Sequence, residues 1–337
     1  MTHRLALVGY GNVGQGLVSI LAEKKDSLAT KYGFKYKIVA VSDMLKGSAL
    51  RSKGIDPEAL LTKPDSVLSK STGKDALAII RECDATVVVE ATYTDLNTGQ
   101  PATSHIEAAF KTGKHVVTTN KGPLALHYPS LIRMAASKKV QFRYEGTVMA
   151  GTPLISFGTR NLAGCDISEI RGILNGTTNY ILTRMGEGMP YSDALKKAQE
   201  LGYAEADPTG DVEGFDTMGK VMILANIFMD GKLKKDEISR EGITRITPDD
   251  VKRAEAEGKR WKLIGRLRRE GRRVAGSVAP EALPLSNPLS SVSNAINAVQ
   301  FATDLLGEVT VVGPGAGRKE TGFAVLSDLL DIHRTIG

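Results

Sequence analysis

The chain has few of the residues that build disulfide frameworks, cysteine metal sites or membrane spans. It contains 2 cysteines in 337 residues, Cys83 and Cys165, and they form no CxxC motif. Neither lies beside a histidine or in a catalytic-looking motif, so both are expected to be buried small apolar residues. No signal peptide precedes Leu5, and no apolar run is long enough to span a bilayer. The sequence therefore predicts a cytoplasmic protein with no membrane partner.

Acidic residues are outnumbered by basic ones, and the net charge is +6. The basic residues are spread along the chain, and the densest run, Arg266 to Arg273, is typical of a hairpin between two strands. A solvated basic edge is commoner than a surface that binds phosphates, so we expect no nucleic-acid partner. The hydrophobic fraction of 42% and the length of 337 residues predict a globular chain of two or three structural units.

A glycine-rich motif follows the first apolar run, residues 4–9, which is typical of a buried parallel strand. The motif is G-x-G-x-x-G, and an amphipathic helix comes directly after it. Its glycines permit a tight turn, close approach of a pyrophosphate to the backbone, and close packing of helix on strand. The helix N-terminus offers free N–H groups to the phosphates. The residues predicted to bind a dinucleotide here are Gly9, Gly11, Asn12, Val13 and Gly14.

The second apolar strand ends in Asp43, which can bind the hydroxyls of an adenosine ribose and would favour NAD. Asp43 lies further from the glycines than the usual ~20 residues, because the segment from Glu23 to Lys37 lengthens the connection between them. Lys46 and Arg51 follow and could instead receive the 2′-phosphate of NADP. The residues alone leave NAD and NADP open.

Two later strand ends carry candidate side chains. Thr92 ends the apolar run that begins at Asp84, and Lys121 follows the strand at 115–119. Ligands of open α/β sheets bind at the carboxyl ends of the strands. We therefore predict that Thr92 contacts the cofactor and that Lys121 touches the substrate or the nicotinamide.

The segment 201–220 combines acids, glycines and one lysine before an apolar helix. Glu205, Asp211 and Asp216 are among its acids, and Lys220 stands one turn after Asp216. A solvated acidic turn capped onto a helix explains this composition locally as well as a binding site does. An upstream cofactor crevice favours the site, because reducing a carbonyl needs a proton as well as a hydride.

A possible cation site follows a later strand. Glu145 precedes a glycine-bracketed segment whose backbone carbonyls lack obvious partners in a sheet. One carboxylate with several carbonyls suits a hard cation. A hinge between domains is the alternative explanation.

Five segments in this order resemble one family closely. They are Gly9–Gly14, Thr119–Lys121, Gly172–Ile181, the stretch from Ala198 to Lys220, and Gly313–Gly317. The stretch that begins at Ala198 is long and specific, and the five together cover nearly the whole chain. The family that they resemble is homoserine dehydrogenase. The resemblance implies NAD(P)-dependent interconversion of L-homoserine and L-aspartate 4-semialdehyde, on the route to threonine, methionine and isoleucine.

The resemblance also implies roles for individual residues. Lys220 matches the proton donor and acceptor, Lys121 a second lysine at the substrate and nicotinamide, and Gly317 a cofactor contact. The implied substrate-binding residues are Tyr203, Glu205, Asp211 and Asp216. Glu145 matches the ligand of a monovalent cation, sodium rather than magnesium. Its implied companions are the carbonyls of Val148, Ala150 and Thr152. Met149 stands where the family commonly has glycine, a change of little weight if neighbouring carbonyls hold the ion.

We therefore predict an α/β fold with two domains. A Rossmann-type dinucleotide-binding domain is expected at residues 1–138, completed by residues 313–337. A mixed-sheet α/β catalytic and dimerisation domain is expected at residues 139–312. A homodimer is implied, with strands near 140–144 and 309–312 as candidate contacts. The chain ends about twenty residues after Gly317, so neither a C-terminal regulatory domain nor an N-terminal kinase is expected.

Two other functions remain as alternatives. A non-catalytic Rossmann redox sensor would bind NAD(H) and a partner protein, but it would not need the acidic segment or Lys220. An aspartate-semialdehyde dehydrogenase would act through a cysteine nucleophile. Neither Cys83 nor Cys165 lies in a glycine-rich loop of the kind expected for that chemistry.

Overall fold

The computed structural model describes residues 1–68, 74–231 and 233–337, which divide into two compact units. The first unit comprises Met1–Gly151 and Ala316–Gly337, and the second comprises Thr152–Gly315. Both units are mixed α/β, so the predicted fold class is confirmed. Within the described residues, no helix combines the length and the apolar character needed to cross a membrane.

The first unit is built on a six-stranded sheet. Its strands are β1 (Thr2–Val8), β2 (Lys35–Asp43), β3 (Gly47–Ile55), β4 (Val87–Glu90), β5 (His115–Thr118) and β6 (Phe142–Arg143). The strand order is β3-β2-β1-β4-β5-β6, and every pair is parallel except β2 with β3. The connections run in opposite directions on the two sides of β1. This switch opens a crevice at the carboxyl ends of β1 and β4, the dinucleotide position of Rossmann-type sheets.

Helices cover this sheet. Those before the second unit are α1 (Asn12–Tyr32), α2 (Pro57–Thr62), α3 (Pro64–Leu68), α4 (Ala76–Glu82), α5 (Ala102–Lys111), α6 (Lys121–Leu126) and α7 (Tyr128–Lys138). A 3₁₀ turn follows β6 at Glu145–Thr147. The helix α13 (Arg318–Ile336) follows the second unit in the chain and packs along α1. A Cβ atom on Gly16 would lie 2.2 Å from the carbonyl oxygen of Arg318, so glycine permits this close contact. The last helix thus groups with the first unit, although the second unit precedes it in the chain.

The second unit is built on a six-stranded mixed sheet. Its strands are β7 (Ile167–Ile173), β8 (Ile238–Arg240), β9 (Lys259–Glu270), β10 (Arg273–Pro284), β11 (Ile296–Thr303) and β12 (Gly307–Pro314). The order is β12-β11-β7-β9-β10-β8, antiparallel except where β8 meets β10. The basic run from Arg266 to Arg273 lies in the β9–β10 hairpin, as predicted.

The helices of the second unit include a strongly apolar one. They are α8 (Gly176–Gly186), α9 (Tyr191–Glu200), α10 (Thr209–Val212), α11 (Phe215–Phe228) and α12 (Pro248–Ala256). A π-helical segment lies at Phe157–Asn161, and short 3₁₀ helices lie at Lys235–Glu237 and Pro288–Ser291. The apolar α11 packs against β9 at Gly265, where an added Cβ would lie 2.9 Å from a methyl of Val221. This contact buries the face of α11 that carries Lys220.

Candidate active site

The glycine-rich turn of the first unit has the close approaches that only glycine permits. Gly9 has φ +94°, and a Cβ atom there would lie 2.3 Å from the carbonyl oxygen of Ala91. A Cβ on Gly14 would lie 2.7 Å from the carbonyl oxygen of Gly9. A Cβ on Gly11, by contrast, would meet no atom within 4 Å. The turn is therefore tight on its sheet side and open at Gly11, immediately before the N-terminus of α1.

A cavity of about 710 Å³ lies beside this turn. Its wall brings together four predicted cofactor residues, Gly9, Gly11, Asp43 and Thr92. Asn12, Val13 and Gly14 form the first turn of α1, and Gly317, with φ +133°, precedes α13. The prediction from sequence missed an apolar part of the wall that includes Met44, Leu45, Ala76 and Leu77. Met44 is 83% and Leu45 87% exposed, so the wall offers apolar surface to a planar ring.

Asp43 holds the loops around the cavity. Its Oδ2 accepts a hydrogen bond from the backbone N–H of Tyr10 at 2.7 Å. Its Oδ1 accepts from the N–H groups of Leu45 and Lys46, each at 3.0 Å. The ammonium of Lys46 donates to the carbonyl oxygen of Tyr10 at 2.7 Å. The cavity therefore presents a carboxylate at the end of β2, while Lys46 is engaged by the backbone.

A buried carboxylate that the prediction missed, Glu90, ends β4. It is 0% exposed. Its Oε1 accepts hydrogen bonds from the backbone N–H of Thr92 at 3.2 Å and from the Thr92 hydroxyl. Its Oε2 accepts from the hydroxyl of Thr118 at 3.0 Å. The ring nitrogen Nδ1 of His105 lies 3.6 Å from Oε1. The only sequence signal was an acidic residue closing a run of valines.

Lys121 is the first residue of α6, and the residue before it is tied to β4. The side chain of Asn120 caps α6 by accepting from the N–H of Gly122 at 3.1 Å. Its amide nitrogen donates to the carbonyl oxygens of Thr92 and Tyr93, at 3.2 and 2.8 Å. Lys121 is thus presented at the carboxyl end of β5, beside the loop that carries Thr92.

Glu145 is buried in the first unit, next to a second carboxyl group. Its backbone N–H donates to Oδ2 of Asp328 at 2.9 Å. Burial, and then the charge of Glu145, raise the pKa of Asp328 well above its usual range. Val148 and Ala150 are buried, and Ala150 has φ +45°, which turns the chain sharply. Thr152 is the first residue of the second unit.

The second unit buries Lys220 in a polar cluster. The Lys220 side chain lies in the second turn of α11, and the residue is 7% exposed. Its Nζ donates to the carbonyl oxygen of Leu174 at 2.6 Å and lies 2.8 Å from Oδ2 of Asp216, one turn earlier. Within the described residues these are its polar contacts, and an ammonium has a third N–H to donate.

Asn175 links the acids of this cluster. Its amide nitrogen donates to Oδ1 of Asp211 at 2.7 Å and to Oδ2 of Asp216 at 3.1 Å. Its amide oxygen caps α8 by accepting from the N–H of Thr178, which fixes the orientation of the amide. Burial, and then the charge of Asp216, raise the pKa of Asp211, while the hydrogen bond from Asn175 opposes the shift.

The remaining predicted substrate residues lie on the loop between α9 and α10. The hydroxyl of Thr177 donates to the carbonyl oxygen of Tyr203 at 2.6 Å, so this part of the loop adjoins the start of α8. The Tyr203 ring lies 5.2 Å from that of Tyr180 and is 46% exposed. Glu205 is exposed, and its carbonyl oxygen accepts from the side chain of Gln199 at 3.1 Å. The structure thus clusters Asp211, Asp216 and Lys220 tightly and leaves Glu205 on the surface.

The two cysteines lack the setting of a nucleophile. Cys83 is buried, and burial raises the pKa of its thiol, which disfavours the reactive thiolate. Cys165 is half-buried in the segment before β7. The expectation of burial is confirmed for Cys83 and wrong for Cys165, which lies between a turn and the start of β7.

Comparison with known proteins agrees with this geometry. Residues 9–145 match the family model described as "Homoserine dehydrogenase, NAD binding domain", and residues 153–330 match the one described as "Homoserine dehydrogenase". An NAD(+)-dependent homoserine dehydrogenase from Pseudomonas canavaninivorans is 46% identical, over 99% of this chain and 97% of its own.

Solved structures are similar as well. A protein from Archaeoglobus fulgidus that is provisionally named homoserine dehydrogenase has a TM-score of 0.89 and 38% identity, covering 98% of this chain and 99% of its own. A hyperthermophilic archaeal homoserine dehydrogenase in complex with NADPH has a TM-score of 0.83 and 28% identity, covering 100% and 99%.

The fold and these matches define an NAD(P)-dependent oxidoreductase with a Rossmann-type unit. The chain belongs to the homoserine dehydrogenase family. Its reaction is accordingly the NAD(P)-dependent interconversion of L-homoserine and L-aspartate 4-semialdehyde, as the sequence predicted.

Proposed function

We propose that the cluster around Lys220 carries out the proton transfer of the homoserine dehydrogenase reaction. The observation that carries this proposal is a buried ammonium with two N–H groups engaged, by Leu174 and Asp216, and a third left for a substrate oxygen. In aldehyde reduction, the Lys220 ammonium donates a proton to the developing alkoxide. In homoserine oxidation, the neutral amine takes the hydroxyl proton.

The acids around Lys220 are proposed to bind the amino-acid end of the substrate. Homoserine carries an α-ammonium, which carboxylates recognise through charge-assisted hydrogen bonds. Asp211 and Asp216 are both half-buried, so they meet an incoming ammonium with reduced competition from water. Tyr203 and Glu205 complete the proposed set from the loop after α9. Asn175 donates to both acids and so fixes their positions relative to one another.

The first unit is proposed to be the dinucleotide-binding domain. The open side of the turn at Gly11 fits a pyrophosphate, because a side chain there would fill that space. When bound, the nicotinamide supplies the hydride to the aldehyde carbon or accepts it from homoserine. We assign cofactor contacts to Thr92, Lys121 and Gly317, with Lys121 also touching the substrate. The remaining proposed contacts are Gly9, Gly11, Asn12, Val13, Gly14 and Asp43.

NAD is the proposed cofactor rather than NADP. The carboxylate of Asp43 lines the cavity and would accept from ribose hydroxyls but repel a 2′-phosphate. Lys46, the nearby candidate for phosphate binding, donates instead to the carbonyl oxygen of Tyr10. The relative from Pseudomonas canavaninivorans, at 46% identity, is named NAD(+)-dependent. The hyperthermophilic enzyme that was solved with NADPH is more distant, at 28% identity.

A monovalent cation, sodium, is proposed at Glu145. Glu145 is 5% exposed, and its backbone N–H donates to the carboxyl group of Asp328 at 2.9 Å, so two buried carboxyl groups lie side by side. Within the described residues, the carbonyl oxygens of Val148 and Ala150 accept no hydrogen bond. One carboxylate with such carbonyls, and with that of Thr152 as a further candidate, fits a hard monovalent ion.

We also propose a homodimer that acts in the cytoplasm on the route to threonine, methionine and isoleucine. β12 is an edge strand of the second sheet, and Val312 on it is 54% exposed. An exposed apolar edge strand is a common site of pairing between subunits. A mass of about twice 36.1 kDa by light scattering is expected, and a monomeric mass would refute the dimer.

The reaction and the cofactor can be tested together. The purified chain is supplied with L-homoserine and either NAD⁺ or NADP⁺, and the absorbance of the reduced cofactor is followed with and without added sodium. We expect turnover with both nucleotides, a higher kcat/KM with NAD⁺, and stimulation by sodium. A higher kcat/KM with NADP⁺ would refute the cofactor assignment. Turnover that does not change when sodium is added to a sodium-free buffer would refute the cation site.

A further inference from the structure

We propose that Glu90 is a positioning residue for hydride transfer, whose carboxylate joins the ends of β4 and β5 so that Thr92 and Lys121 are held toward the nicotinamide. The inference rests on the roles proposed above for Thr92 and Lys121. Glu90 itself makes no contact with the substrate in this scheme. It acts through the residues that it holds.

The hydrogen bonds of Glu90 require a carboxylate. A fully buried carboxylate is costly unless both of its oxygens are satisfied. Here Oε1 accepts from Thr92 on the β4 side, and Oε2 accepts from Thr118 on the β5 side. A carboxylate can accept on both sides at once, whereas an amide presents a donor to one of them. The residue type is thus matched to donors on two different strands.

The bonds continue from Glu90 into a closed ring. The hydroxyl of Thr118, which donates to Glu90, accepts from the backbone N–H of Asn120 at 3.0 Å. The amide nitrogen of Asn120 donates to the carbonyl oxygen of Thr92 at 3.2 Å, which closes the ring because Thr92 also donates to Glu90. Glu90, Thr118 and Asn120 are each at most 2% exposed. The backbone immediately before Lys121 is therefore fixed on both sides by a dry polar ring.

Breaking this ring should misplace Lys121 without unfolding the sheet. A displacement of about 1 Å in a reacting group can cost on the order of a hundredfold in rate. We therefore expect kcat to fall roughly tenfold to a hundredfold in Glu90→Gln and in Thr118→Val, with circular dichroism unchanged. Thr118→Ser, which restores the hydroxyl, should recover most of the loss. Full turnover in Glu90→Gln or Thr118→Val, or no recovery in Thr118→Ser, would overturn the proposal.

A matched control separates positioning from a general loss of stability. Thr86 lies at the opposite end of the sheet, where its hydroxyl accepts from the N–H of Arg4 at 3.0 Å. Thr86→Val also removes one threonine hydroxyl from the first unit, so it should lower the melting temperature by a similar amount while kcat stays at the wild-type value. If Thr86→Val and Thr118→Val reduce kcat equally, the effect of Thr118 is structural and the proposal fails.

A double-variant cycle tests whether Glu90 acts through Lys121. Turnover of Glu90→Gln, Lys121→Met and the combined variant is measured at saturating NAD⁺ and homoserine. The combined variant should be about as slow as Lys121→Met alone, because the misplaced group is already absent. Full additivity would overturn the inference and leave the role of Lys121 intact. Wild-type turnover of Lys121→Met would instead refute the proposed role of Lys121, and the inference with it.

Discussion

The two units bury carboxylates in different ways. In the second unit, Asp211 and Asp216 share the amide of Asn175, and Asp216 forms an ion pair with Lys220. In the first unit, Glu90 is satisfied by threonine hydroxyls and a backbone N–H, with His105 at 3.6 Å. In the second cluster an ammonium is paired with one of the carboxylates, while the carboxylate of the first is met mainly by neutral donors.

This difference suggests a division of work. A paired ammonium and carboxylate can exchange a proton with substrate, so the second cluster is suited to chemistry. A carboxylate that is met by neutral donors on two strands is suited to fixing those strands in register. The comparison therefore predicts that changes in the second cluster act on turnover and substrate binding. Changes in the first unit should act on placement, cofactor choice or stability.

Loss of the Lys220 ammonium should have the largest effect. Lys220→Met keeps the length of the side chain, removes the proton donor, and is expected to lower kcat by roughly a thousandfold or more. Binding of NADH, measured by fluorescence titration, should be unchanged. Lys197→Met, which removes an exposed ammonium paired with Glu200 at 3.1 Å, is the control in the same unit. Turnover of Lys220→Met within tenfold of the wild type would remove Lys220 from the mechanism.

Loss of the amide between the acids should come next. In Asn175→Ala, Asp211 and Asp216 lose their shared donor, and α8 loses its cap, which is worth about 1 kcal/mol. We expect KM for homoserine to rise roughly tenfold, because the repelling acids no longer hold the geometry that receives an ammonium. The melting temperature should fall as well. An unchanged KM with a lowered melting temperature would show that Asn175 acts only as the cap of α8.

Asp43 tests the first unit for cofactor choice. Asp43→Asn removes the negative charge and keeps the shape. Its amide oxygen can still accept from Leu45 and Lys46, whereas its amide nitrogen cannot accept from the N–H of Tyr10. We expect kcat/KM with NAD⁺ to fall about tenfold and that with NADP⁺ to rise or stay constant, since charge-assisted bonds to ribose are lost and repulsion of a 2′-phosphate is relieved. Steady-state assays with both nucleotides measure the ratio. An equal loss with both would show that Asp43 acts only on the loop.

The smallest effect concerns stability in acid. Burial, and then His333 and His115, lower the pKa of His3 from 6.5 to about 4. The unfolded chain therefore binds a proton between pH 6.5 and 4 that the folded chain does not, and stability is lost as the pH falls through this window. His3→Phe retains the stacking on Phe34. Its melting temperature should fall less between pH 6.5 and 4 than that of the wild type. Parallel slopes in the two proteins would contradict this.

The second unit also contains a buried charge that resembles those of the first. Lys262 is 2% exposed, and its ammonium donates to the amide oxygen of Asn179 at 3.0 Å and to the carbonyl oxygen of Val292 at 2.5 Å. Burial lowers its pKa to about 8. Lys262 thus joins α8 to β9 with neutral partners, which indicates a structural task within the unit to which we assign the proton transfer.

The fold and the cofactor turn could be predicted because their signals are local. Gly9, Gly11 and Gly14 stand at fixed spacing between an apolar strand and a helix, and backbone sterics alone give that spacing its meaning. Short runs of valine and leucine likewise predict which strands are buried. Local patterns of this kind need no knowledge of distant contacts.

The polar clusters could not be predicted in the same way. Asn175 precedes Asp211 by 36 positions, and Glu90 precedes Thr118 by 28, so only the folded sheet brings them into contact. In the structure, the amide nitrogen of Asn175 donates to both Asp211 and Asp216. An amide that caps a helix and links two acids leaves no distinctive spacing in the sequence.

The packing of α13 on α1 has a consequence for synthesis. The core of the first unit includes Leu326 and Leu329 from α13 together with Leu17 and Leu21 from α1. A ribosome makes α1 before α13, with the whole second unit in between. At about 5–20 residues per second, the nascent first unit waits many seconds with the apolar face of α1 uncovered. The second unit can thus finish folding before the first, and the nascent chain offers chaperones that apolar face until α13 is released.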